Sequence, residues 1–368
     1  MGRRRNSASV ALAVVVMVLA VTVLHVSLLS LLLVLAAMWT LFALRVGAMS
    51  ATAVLVGFEL QRAWVGPLRL ERHDGAMRLR WYWRLYGSSG AVAVPVTADR
   101  LGRRWCLMLA AGLLTLPVSA ALAVGASLPI LARLPAGSPG VWASVVAVLW
   151  AVALVACVYT LVRVLPLRVR GVPLDGLQLW WWWRDKAAAR RWVAATTMVG
   201  LAVDGARPRD WPDEWVRLAQ GPADGSPEDV LATWLVMQWA GDRGDEALEL
   251  AALDRAVAAA GRLRGPQRAA VLVDAAFVTA RRRQDADSAA NLLDRATSAG
   301  PVHQVDRLAA KAAILLARGE HEAAAEAARA WSGAVPARVP MPGLLGPATE
   351  EMARLQTEAQ RRAAGLSF

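Results

Sequence analysis

The chain has 368 residues, 57% of them hydrophobic, with a formal net charge of +12. The entire basic excess lies in residues 1–183, where 17 arginines face 5 carboxylates, while residues 184–368 are balanced. Nucleic-acid binding would want a basic patch on a folded soluble face, so this distribution argues against it and fits the positive-inside rule of membrane proteins.

The chain opens Met1-Gly2-Arg3-Arg4-Arg5 and carries no further charge until Arg45. A continuous helix over Val10–Leu44 would be about 50 Å long, against about 30 Å of hydrocarbon, so the run must break. The break falls at His25–Ser30, which predicts helices over 10–28 and 32–56. Residues 57–104 hold nine arginines and short alternating runs, Leu68–Arg72, Met77–Trp83 and Ala91–Val96, around His73-Asp74-Gly75 and Tyr86-Gly87-Ser88-Ser89-Gly90. Asp-Gly between alternating runs is a hairpin signal, and a small antiparallel sheet at the cytoplasmic membrane surface is expected. Apolar runs over 105–130 and 141–165 follow.

The expected fold is mainly α: four transmembrane helices, the surface hairpin sheet, then a soluble helical part. Arg3–Arg5, the hairpins, Arg168 and Arg170 belong inside, and the turn near residue 28 and the loop at Arg133 outside, so both termini are cytoplasmic. Trp180, Trp181, Trp182 and Trp183 are expected to anchor the chain at the cytoplasmic interface. Cys106 and Cys157 fall within apolar runs and behave as small hydrophobes.

The expected division is a membrane domain over 1–183, an interfacial helix and linker over 184–226, and a soluble helical domain over 227–368. Asp204–Pro227 reads as linker. Helical pairs start near Pro227, Pro266 and Val302, punctuated by Gly241, Gly261, Gly300 and Gly319. In Leu308–Val335, Ala309, Ala312, Ala313 and Leu316 form one stripe, Arg318-Gly319-Glu320 the turn, and Ala323, Ala324 and Ala327 the packing return. Small residues at a helix crossing with Gly at the turn resemble a tetratricopeptide unit, and a plain Ala-rich bundle is the alternative.

Arg163, Pro166 and Leu174-Asp175-Gly176 carry a second resemblance. They are similar to the last core segment of the site-2 proteases, which cut within membranes and carry Asn-x-x-Pro, a spacer and Leu-Asp-Gly. The resemblance implies that Asp175 stands at a zinc-ligand position. The family's His-Glu-x-x-His puts two ligands on one helix face, with the Glu as base. Counting back from Gly57, and from Trp64-Val65-Gly66-Pro67-Leu68 as the start of the sheet, Arg45 stands at the first His, Val46 at the Glu, Ala48 at the usual Gly and Met49 at the second His. Ala111-Gly112 keeps part of the middle core motif, whose Pro and Asn are Leu113 and Leu116 here.

His25, His73, His303 and His321 do not pair at helical spacing, and neither a phosphate loop nor a nucleophile elbow is present. The resemblance therefore implies an inactive relative without metal or other cofactor, in a bacterial cytoplasmic membrane, binding a transmembrane client and, through its helical tail, a cytoplasmic protein. The alternatives are an unrelated four-helix scaffold whose tail recruits a partner, and an active zinc protease with an unorthodox site. A buried guanidinium at position 45 would need an anion, and the shared frame predicts that Arg45 pairs with Asp175 across the former metal site; the alternative is Arg45 snorkelling to a surface.

Overall fold

A computed structural model describes residues 28–73, 76–81, 89–133, 141–169, 172–335 and 341–365. The helix expected over 10–28, the Asp74-Gly75 turn, Arg170 and the segments 82–88 and 134–140 lie outside them. The described chain is mainly helical with one small antiparallel sheet.

Helix α1 (Leu28–Leu55) contains neither acid nor proline. It stops at Gly57, whose φ of 78° is the left-handed conformation that glycine adopts at no steric cost. Arg104 caps this end: its Nε donates to the Val56 carbonyl (2.5 Å) and its Nη2 to the Gly57 carbonyl (2.6 Å), while Nη1 reaches the Thr97 carbonyl (3.1 Å). A cation thus satisfies carbonyls that a helix terminus leaves bare.

The antiparallel sheet, expected at the membrane surface, runs back beside α1. Strand β1 (Phe58–Val65) leaves the Gly57 turn and ends at Gly66, where an added Cβ would lie 2.4 Å from the Trp39 ring. The lengths agree: β1 spans roughly 25 Å, as does the helix from Leu55 back to Trp39. The Val65-Gly66-Pro67 step is therefore the first hairpin turn of the sheet, not its start, because β1 already lies ahead of it. Strands β2 (Leu68–His73), β3 (Ala76–Trp81) and β4 (Ser89–Pro95) complete the order β3-β2-β1-β4. His73 pairs with Ala76, leaving the two-residue Asp74-Gly75 connection that the sequence signals.

Helices α2 (Leu101–Leu131) and α3 (Val141–Val164) follow. With α1 they are long and apolar enough to cross a membrane. Their shared core is thin: Leu41, Leu116, Ala120, Val152, Ala153 and Ala156. Small residues let helix backbones approach, which is how helices pack where the solvent is itself apolar. Gly112 shows the closeness, since a Cβ there would lie 2.3 Å from Met49 Cγ.

A short hairpin, β5 (Arg168–Val169) and β6 (Val172–Pro173), leads to α4 (Asp175–Arg184) and α5 (Lys186–Val203). The expected interfacial helix and linker is instead the centre of the molecule. Val193, Ala194, Ala195, Met198 and Ala202 of α5 are fully buried, as are Trp211, just after the 3-10 turn Pro208–Asp210, and Trp215 in α6 (Asp213–Ala219). One continuous core runs from Met49, Phe58 and Leu101 through α5 to Leu235 and Leu272.

Beyond it, three antiparallel pairs stack: α7 (Pro227–Arg243) with α8 (Glu246–Ala259), α9 (Pro266–Arg282) with α10 (Ala286–Ala299), and α11 (Gln304–Ala317) with α12 (His321–Ala334), closed by α13 (Pro342–Ala363). Ser226, Asp245 and Asp285 cap α7, α8 and α10 by accepting backbone N–H bonds. Gly241 does not end α7, as expected; Gly244 does, at φ 77°, and Gly241 lies inside the helix where the Glu249 carboxylate crosses it.

Candidate functional site

Three elements of the bundle place one carboxylate between two guanidinium groups. Arg45 sits in the second half of α1, beside Val46 and Met49, both buried. Arg163 is in the last turn of α3, and Asp175 is in the first turn of α4, where the helix dipole favours a negative charge. Gly176 permits this junction, since a Cβ there would fall 1.8 Å from the Val164 carbonyl oxygen. The Asp-Gly pair thus has two separate physical reasons, a charge to be held and a backbone that must come close.

Arg45 Nη2 donates to Asp175 Oδ2 at 2.5 Å, with side-chain exposures of 0% and 4%. Arg45 therefore does not snorkel. Arg163 meets the same carboxylate with both arms, Nε to Oδ2 at 3.0 Å and Nη2 to Oδ1 at 2.7 Å. This is the bidentate fork that makes Arg–carboxylate pairs geometrically specific. The expected one-to-one pair is thus one acid shared by two arginines, with a formal charge of +1 on the cluster. Arg45 Nε and Nη1 are buried and make no hydrogen bond. Arg163 stood in the sequence only as a departure from Asn; its spacing of twelve residues from Asp175, across a Pro/Gly turn, was the available signal.

The four tryptophans divide. Trp181 is buried against Leu177, Ala188 and Ala189, and Trp182 lies against Gly102 at the start of α2. Trp180 and Trp183 are exposed, stacked edge-to-face at 5.2 Å, with the Arg184 guanidinium over both rings. The helical period turns half of the expected anchor inward, because residues one apart on a helix face different ways. His303 precedes α11 and His321 opens α12, His73 is in β2, and His25 is outside the described residues. Among the described residues, no three His, Cys, Asp or Glu side chains cluster closely enough to hold a metal.

The site also connects to the helical pairs. Arg168, in β5, clamps Glu228 at the start of α7 with both arms, at 3.0 and 2.8 Å, and its guanidinium lies over the Trp181 ring. Glu228 is buried, so this bridge ties the turn that carries Asp175 to the first helix of the stack. Comparison of the chain with protein-family models, with curated proteins and with solved structures finds no match.

Proposed function

We propose that the chain is an integral protein of a bacterial cytoplasmic membrane, an inactive relative of the site-2 proteases that binds a transmembrane segment instead of cutting it. The observation that carries this reading is the contact between Arg45, at the position of a first metal ligand, and Asp175, at the position of a third. The helix–sheet–helix–helix order around that contact supports it. Two guanidiniums would repel a dication in a low-dielectric site. The stacked helical pairs, with Ala312, Ala313, Ala324, Ala327 and Ala328 buried at their crossings, are read as a tetratricopeptide-like, cytoplasmic, partner-binding part.

The test is threefold. Purified full-length protein is expected to hold far less than one zinc per chain and to leave model transmembrane substrates uncut. Reporters after Arg104 and at the C-terminus are expected to read cytoplasmic, and one at Ser138 external. A photo-crosslinker at the exposed Leu44 is expected to capture a membrane client. Stoichiometric, chelator-sensitive zinc together with cleavage overturns the reading.

A second reading, a membrane scaffold outside that family, is favoured by the continuous core that joins part of the bundle to the stack. It predicts crosslinks from the helical pairs, for example from Arg283, and none from Leu44.

A further inference from the structure

A cleft of about 470 Å³ opens where α2 begins, lined by Arg100, Gly102, Arg103, Trp182, Arg190 and Leu218. Its three arginines come from two separate elements, the entry to α2 and helix α5. Among the described residues, none of the three makes an ion pair, while the neighbouring Arg104 and Arg191 are both engaged. No carboxylate lines the cleft. Nearby Glu214 accepts from the Ala98 N–H (3.3 Å). The first turn of α2 has neither an acidic residue nor a side-chain cap. Trp182 forms an aromatic wall, brought in because Gly102 has no Cβ; one would lie 2.8 Å from the ring.

What lies along the helix below the cleft matters as much. Arg103, Leu107, Leu114, Val118 and Leu122 are all exposed and fall on one face of α2 by helical spacing. Arg103 thus heads an apolar stripe on one of the three helices fit to cross a membrane. The exposed Trp180 and Trp183 stand on α4 beside Trp182, in the arrangement of an interfacial belt. Unpaired guanidiniums above a long exposed apolar stripe match an amphiphile whose head is an anion. A soluble phosphate would use only the top of this surface.

From the unpaired Arg100, Arg103 and Arg190 around the cleft and the apolar stripe beneath it, we infer that this surface seats one anionic phospholipid, its phosphate among the arginines and an acyl chain along α2. Basic pockets at the cytoplasmic ends of membrane helices recognise such headgroups by charge. The inference rests on the membrane placement of α2 and not on the protease resemblance. Release of the chain from membranes by detergent, and not by high salt, tests that placement on its own.

The experiment uses the full chain in neutral detergent, read by native mass spectrometry during titration with phosphatidylglycerol, phosphatidylcholine or glycerol 3-phosphate. One phosphatidylglycerol is expected to stay bound, with phosphatidylcholine and glycerol 3-phosphate each much weaker. Arg103→Gln with Arg190→Gln is expected to weaken phosphatidylglycerol about thirtyfold, the weight of two surface arginines on an anionic lipid. Because both side chains are exposed, the variant is expected to melt like the parent, and Arg262→Gln with Arg264→Gln serves as a charge-matched control. Equal retention of the two lipids, or unchanged binding in the first double variant, overturns the inference. Glycerol 3-phosphate binding as tightly as phosphatidylglycerol also overturns it, by making the site one for a free phosphate.

Discussion

Asp175, in the bundle of long apolar helices, is met by two guanidinium groups. Asp274, in the helical pairs, is met by none among the described residues and accepts instead from Trp234 Nε1 (2.8 Å) and Gln238 Nε2 (3.0 Å). The first carboxylate is gripped by two cations. The second is pushed up to about 7 from its ordinary value of 3.8, by burial first and by the neighbouring Asp306 next, against the pull of its two donors. Asp306 is itself pushed up by burial, with His303 opposing. One region closes two guanidiniums on its acid; the other gives its acid two neutral donors and no cation among the described residues.

The largest expected effect tests the sharing of Asp175. Asp175→Asn strands two guanidiniums, one of them fully buried, and is expected to cost about 3–5 kcal/mol in thermal or denaturant unfolding. Arg45→Met leaves the Arg163–Asp175 fork intact and removes two unpaired N–H groups, so its cost is expected to stay below about 1 kcal/mol. If the two substitutions cost the same, the carboxylate is not shared in the way described.

The contrast at Asp274 is a matter of pH. Its folded value is raised, so the folded state holds the proton longer than the unfolded chain. The associated stability is fully present below about 4 and is lost as pH rises through about 7. Since the side chain is only half-buried, about 1–2 kcal/mol is expected. Melting temperatures of the parent are expected to fall between pH 5 and 8 by more than those of Asp274→Asn; parallel profiles would remove the contrast.

Smaller effects sharpen it further. Glu228→Gln breaks a fork that is buried on one side only, and is expected to cost about 1–2 kcal/mol, read as faster hydrogen exchange at Val169 and Val172. At the surface, Arg283 and Asp254 meet at 2.7 Å with both side chains exposed, and Arg283→Gln is expected to change stability by less than about 0.5 kcal/mol.

The long apolar helices and the Asp74-Gly75 hairpin were legible because hydropathy and turn chemistry are local. The helical pairs were legible from proline, glycine and alanine spacing, with starts at Pro227 and Pro266 where expected. The direction of β1 was not, because it depends on one left-handed residue, Gly57, and on a cap supplied by Arg104 from another element. Helix α5 reads as a modest Ala/Thr segment carrying arginines, and nothing local says that both of its sides are covered. At the site, Arg45 and Asp175 were singled out only through the resemblance to the site-2 protease motifs. The role of Arg163 was not legible, since it follows from how tightly the turn at Gly176 closes.

The central place of α5 has a consequence for how the chain is made. Its neighbours on β4, Ala93 and Val94, leave the ribosome before it, whereas Leu235 and Val236 of α7 leave after it. At ordinary synthesis rates several seconds separate the two sets. During that interval Val193, Met198 and Ala202 have been delivered with only one of their two walls in place. The nascent chain therefore passes through a stage in which an apolar surface stands uncovered, and a ribosome stalled between α5 and α7 would display it to chaperones and proteases.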